Sequence, residues 1–150
     1  MDAVTYPDAK VVQFINTNLV AIRVRSDSQP LANDYSVKWT PTLIVLDPSG
    51  KEHNRTVGFM PPEEFIPALL LGIAKTWFDG DQFPEAIEFL ERLLLEYPKS
   101  GSAPEAVFLR GVAGFKATHV AGTLKGAYER LKAEYPGSEW VKRAEPYQLL

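Results

Sequence analysis

Few side chains in this chain have the types and spacing that chemistry requires. The two histidines, His53 and His119, lie far apart in sequence, and neither belongs to a His–carboxylate spacing that would hold a metal. Both read as surface or loop histidines. Asp79, Asp81, Glu85, Glu88, Glu91 and Glu96 recur as the solvated acidic side of a helical hairpin rather than as paired catalytic carboxylates. Ser26, Ser28 and Ser49 have no nucleophile-elbow context, and no glycine-rich loop follows a strand to cradle phosphate. The chain has no cysteine, which removes disulfides, thiolate metal sites and cysteine-based redox chemistry together. No catalytic residue, metal site or cofactor is expected, and binding is the chemistry left.

Composition narrows the partners. A net charge of −3 with 23% charged residues offers no basic face for nucleic-acid phosphates. No apolar run approaches the roughly 18 residues of a membrane span, and Met1-Asp2-Ala3-Val4 has no signal-peptide character. A cytoplasmic location is the expectation, and protein or peptide is the expected partner class.

The elements that would position a binding site are legible from periodicity and turn chemistry. Thr42 to Leu46 is a continuous apolar run, expected to be a central strand buried on both faces. Pro41 opens it, where proline is tolerated in a sheet. Asp47-Pro48-Ser49-Gly50 has the residue order of a type I turn, and Lys51 to Val57 reads as a polar edge strand ended by Gly58. Upstream, Asp8 caps a short helix over Ala9 to Asn16. Leu19 to Arg25 alternates Val20, Ile22 and Val24 against Ala21, Arg23 and Arg25, which predicts a strand with one buried face. Pro30 starts a second short helix to about Tyr35.

From Met60-Pro61-Pro62-Glu63-Glu64 onward the chain is helical. Proline and acidic residues suit the start of a helix bearing Phe65, Leu69, Ile73 and Trp77, and Pro67 should kink it or delay its onset. This helix is expected to close the sheet with its first turns and join the helical region with its last. Leu95-Glu96-Tyr97-Pro98-Lys99-Ser100 is then echoed by Ala133-Glu134-Tyr135-Pro136-Gly137-Ser138, about 38 residues on. Ala74, Trp77, Gly80, Phe83, Ala86, Leu90 and Leu93 follow the small-then-large pattern of a helical hairpin. Ser138 to Ala144 begins a third unit or caps the second.

Val37, Thr40-Pro41-Thr42, the strand, Asp47 and Gly50 together resemble the second half of a thioredoxin-fold domain. The helical part resembles tetratricopeptide repeats, whose period is about 34 residues; a plain helical bundle fits the same residues. The resemblance implies an α/β thioredoxin-like fold lacking its first strand over residues 1–72, followed by an all-α tetratricopeptide-like region over 73–150. It also implies a cis Thr40-Pro41 bond, and a first strand with a Cys-x-x-Cys motif upstream of residue 1, Met1 matching a methionine that follows that motif. Two functions are then open: a redox-inactive piece of a thiol-disulfide oxidoreductase, or a non-catalytic scaffold for a protein partner. Trp39, Thr40 and Pro41 would meet an extended peptide, and Leu71, Lys75 and Phe78 are the candidates to line a partner groove on the inner helices, core packing being the commoner fate of residues such as Leu71 and Phe78. The first strand lies between Leu19–Arg25 and Thr42–Leu46 in that fold. A homodimer that pairs those edges is therefore expected.

Overall fold

The computed structural model of the chain describes residues 1–150. Helix α1, Ala9–Asn18, starts where Asp8, in an extended conformation, accepts hydrogen bonds from the N–H groups of Lys10 at 2.9 Å and Val11 at 3.1 Å. These satisfy donors that a helix N-terminus otherwise leaves unpaired. Val11 and Phe14 point inward and are buried.

The segment Leu19 to Arg25 is not a strand. Val20 and Ile22 stand 92% and 81% exposed, so the predicted buried face is absent. Alternation states which side chains would share a face, but a strand also needs a neighbour to hydrogen-bond with, and this segment has none. Helix α2, Leu31–Asp34, is a single turn after Pro30, held to the sheet by the Tyr35 hydroxyl, which donates to the Gly50 carbonyl at 2.9 Å.

Strand β1, Thr42–Leu46, pairs antiparallel with β2, Glu52–Val57, and these two form the whole sheet. β1 is therefore an edge strand rather than a central one, and of its five residues only Val45 is buried. The reversal between the strands matches its turn chemistry. Gly50 N–H donates to the Asp47 carbonyl at 2.9 Å. Asp47 Oδ1 accepts from the N–H groups of Ser49 at 2.8 Å and Lys51 at 3.0 Å. Gly50 adopts φ +85°, open to glycine without steric cost. The ladder carries one irregularity. Val45 opposes Asn54, but Leu46 opposes Glu52, so His53 is an extra residue in β2.

Helix α3, Pro62–Asp79, begins at Pro62 with Glu63 and Glu64 in its first turn and runs through Pro67 without interruption. Pro67 does not delay the helix. Buried positions run from Phe65 to Ala74 with few breaks, so the helix is apolar all round. It packs on α1, β1 and β2 on the sheet side and, in the helical region, mainly on α4, Phe83–Glu96, with a smaller contact to α5, Ala103–Thr118. One continuous core runs from Val11 and Phe14 through Val45 and Leu70 to Leu131 and Ala144. No helix is long and apolar enough to cross a membrane.

Helices α4, α5 and α6, Gly122–Glu134, stack each against its sequence neighbour, followed by α7, Glu139–Ala144, and a 3₁₀ turn, Glu145–Leu149. The echoed Tyr-Pro pairs end α4 and α6 identically: Tyr97 and Tyr135 both have φ −133° and ψ 50°. The Tyr135 hydroxyl donates to the Pro98 carbonyl at 2.7 Å, tying one hairpin to the equivalent point of the one before.

Close packing within the second hairpin depends on Gly111, where a Cβ would stand 2.4 Å from Ala127 Cβ and 3.0 Å from the Thr123 carbonyl oxygen. Gly126 has open space around the same position. Gly111→Ala should therefore destabilise the protein by about 1–3 kcal/mol through overpacking. Gly126→Ala should stabilise it by about 0.4–1 kcal/mol by restricting the unfolded chain. Chemical denaturation of the two variants checks both signs.

Candidate protein-binding surfaces

Trp39, Thr40 and Pro41 lead into β1. The Trp39 carbonyl accepts from the Thr42 hydroxyl at 2.6 Å, and Gly58 N–H donates to the Pro41 carbonyl at 2.8 Å, so the backbone here is held from the β2 side. Trp39 itself is 69% exposed. The Thr40-Pro41 and Gln29-Pro30 peptide bonds are both cis. Thr42 opposes Val57, which brings Phe59, also exposed, to the same end of the hairpin as Trp39. Only the strand register could have revealed that neighbour. β1 continues from this aromatic end with its second edge free of any strand. The result is an extended backbone with unused donors and acceptors beside two exposed aromatic rings.

Leu71, Lys75 and Phe78 fall on one stripe of α3 but do not make one groove. Leu71 is 5% exposed and belongs to the core. Lys75 Nζ lies 2.5 Å from Glu105 Oε1 on α5 and 3.1 Å from Asn54 Oδ1 on β2, so it joins the sheet to the helical region. Phe78 is half-buried, edge-on to Phe83 with ring centroids 5.5 Å apart. The helical region instead carries an open groove of about 320 Å³ between α4, α5 and α6, bordered by Ile87, Thr123, Gly126, Arg110 and Arg130. The arginines are already paired, Arg110 with Glu91 and Arg130 with Glu134.

His53 is not a surface histidine. Its side chain is 3% exposed, with Nδ1 2.7 Å from Asp79 Oδ2 and Nε2 3.0 Å from Asp47 Oδ2. The extra residue in β2 aims the ring at the last residue of α3, a consequence that residue type and local spacing do not announce. Hydrogen bonding to Asp47, then to Asp79, raises the His53 pKa above its ordinary value. The same pairing, followed by the Ser49 hydroxyl, holds the Asp47 carboxyl well below the usual range. His119, by contrast, ends α5 in a left-handed conformation on the exposed surface. The acidic stripe is less uniformly solvated than its sequence implies, since Asp79 meets His53 and Glu85 Oε2 is buried without a partner. No three His, Asp or Glu side chains converge in a geometry that could hold a metal.

Lys75 is the cation that spans three elements, and its partner Glu105 is only 24% exposed. Lys75→Met should cost about 1 kcal/mol, most of it from stranding the Glu105 carboxylate, and adding Glu105→Gln should recover much of the loss. A double-mutant cycle in urea measures that coupling.

Residues 2–72 match the family model for a thioredoxin-like domain, and residues 68–100 match that for a tetratricopeptide repeat. No curated protein and no solved structure matches the chain. The two matches overlap at residues 68–72, inside α3, where the sheet and the helical stack share one core. The chain is thus a thioredoxin-like segment joined through a shared helix to tetratricopeptide-like helices.

Proposed function

We propose that this polypeptide binds protein partners and performs no thiol–disulfide exchange of its own. The observation that carries this reading is the free edge of β1 beside exposed Trp39, in a thioredoxin-like segment that contains no cysteine. An extended peptide adds to such an edge through main-chain hydrogen bonds, with Trp39, Thr40 and Pro41 at the point of entry. The tetratricopeptide-like match supports protein interaction from the helical side as well. A second reading rests on the same edge: the chain works as part of a thiol-disulfide oxidoreductase, with β1 completed by a cysteine-bearing strand. An in-frame Cys-x-x-Cys just upstream in the gene would favour that reading over the scaffold.

The edge also supports a homodimer. Leu19 to Arg25 alternates in strand fashion, exposes Val20 and Ile22, and makes no backbone hydrogen bonds between residues 20 and 24. A segment and an edge that each need a strand neighbour occur in every copy, so two copies can satisfy one another reciprocally.

Light scattering on a size-exclusion column at micromolar concentration should give about twice 16.7 kDa. The double substitution Val20→Lys/Ile22→Lys should return a monomer that keeps its helical fold, because both side chains are exposed within one copy, and that melts lower than the dimer, because association stabilises the folded state. A stable wild-type monomer would overturn the dimer. In a disulfide-reduction assay the pure protein should not exceed the buffer blank, since the attacking group in that reaction is a thiolate. Turnover there would contradict the redox-inactive reading.

A further inference from the structure

The imidazole of His53 is set between two carboxylates from two different elements, Asp47 in the hairpin turn and Asp79 at the end of α3. No other charged group bonds to the ring. Its neighbours on β2, Glu52 and Arg55, are taken up with each other, and Arg55 Nη2 also donates to the Tyr35 carbonyl at 2.6 Å. The Ser49 hydroxyl and the N–H groups of Ser49 and Lys51 are directed at Asp47 Oδ1, leaving Oδ2 to the histidine.

A neutral imidazole has one N–H, so it can donate to one of these carboxylates but not to both. The other ring nitrogen would then present a lone pair to an anionic oxygen within hydrogen-bonding distance. Only the imidazolium donates on both sides. The position of Asp79 adds to the demand for positive charge. It is the last residue of α3, where the negative end of the helix dipole disfavours a carboxylate and favours a cation. The ring is 3% exposed while the Asp79 side chain is 42% exposed, so water reaches the carboxylate far more readily than it reaches the imidazole.

We propose that His53 is a proton-dependent latch that, when protonated, ties the hairpin turn to the C-terminal turn of α3 and, when neutral, releases one of the two. Release frees the point where the thioredoxin-like segment meets the helical repeats, close to Lys75 and Phe78, while the core along the rest of α3 stays packed. This inference does not depend on the protein-binding reading above. Its pH window follows from the direction of the shifts. His53 titrates above its ordinary value, so the latch is fully formed below about pH 6.5 and is lost as pH rises through the folded-state value. Asp47 titrates below its ordinary value, so its contribution is present above about pH 4 and lost as pH falls through its own folded-state value.

The test is a pH titration of the full chain by NMR, reading the two histidine ring signals together with amide exchange of residues 47–54 and 76–81. His119→Gln assigns the rings. The His53 signal should titrate above about pH 6.5, and Asp79→Asn should bring its midpoint down. Across the wild-type midpoint, protection of those amides should fall roughly three- to tenfold, the scale of one hydrogen bond. In His53→Gln, whose side chain is neutral at every pH, that step should vanish while the fold persists. Titration of His53 at or below its ordinary value would overturn the latch. So would protection that is unchanged through the midpoint, or a step that survives in His53→Gln.

Discussion

Helix α3 has to bury two opposite faces at once, and the rest of the chain is arranged around that requirement. On one side Gly72 lets the helix backbone lie against the sheet, where a Cβ would stand 2.7 Å from Val45 Cγ2. On another, Leu70, Ile73 and Ala74 are buried in a core shared with Leu90, Leu93 and Val107 of the helical region. A helix apolar around its whole circumference is stable only when covered all round, because each large apolar side chain left in water forgoes about 1.5–3 kcal/mol. Neither the hairpin nor the helical stack could leave α3 without exposing one of these faces. The overlap of the two family matches inside this helix is the sequence counterpart of that sharing.

Polar ties follow the same seam. Lys75 bridges β2 and α5 from near the C-terminal end of α3, and His53 bridges the hairpin turn and the last residue of that helix. Glu64, near the start of α3, accepts from Gly101 N–H at 2.9 Å in the turn before α5. Apolar burial supplies most of the attraction but little orientation. These directed contacts fix how the hairpin, the shared helix and the stack sit about one another.

What the sequence disclosed was chiefly local. Asp8 as a cap, the Asp47–Gly50 reversal, proline and glutamate opening α3, and the repeated Tyr-Pro helix ends each depend on a few adjacent residues, and each is present. What escaped was relational. Leu19 to Arg25 has the alternation of a strand without a strand beside it, and the apolar run of β1 indicated two covered faces where only Val45 is buried. Leu71 sits on a helical stripe that reads as a groove only if that stripe faces solvent, and all-round burial of α3 removes it. His53 lies in a polar run and meets Asp79 only because the ladder slips by one residue at Val45/Leu46. Nothing within a few positions of His53 signals an acid so distant in sequence.

That slip ties the geometry of the edge to that of the seam. A one-residue irregularity in β2 redirects side chains on the bulged strand and increases its local twist, while leaving β1 continuous. β1 therefore keeps a regular, unpaired edge of five residues, and the partner strand takes up the distortion needed to reach α3. Edge strands that avoid association are commonly shortened, charged or bulged on the edge itself. Both strands of this two-stranded sheet are edges, and the bulge and the charged residues Glu52 and Arg55 lie on β2, whereas Thr42 to Leu46 carries no charge at all. The protective features therefore guard the outer edge of β2 and leave that of β1 without them, an arrangement suited to a β1 edge that receives a strand.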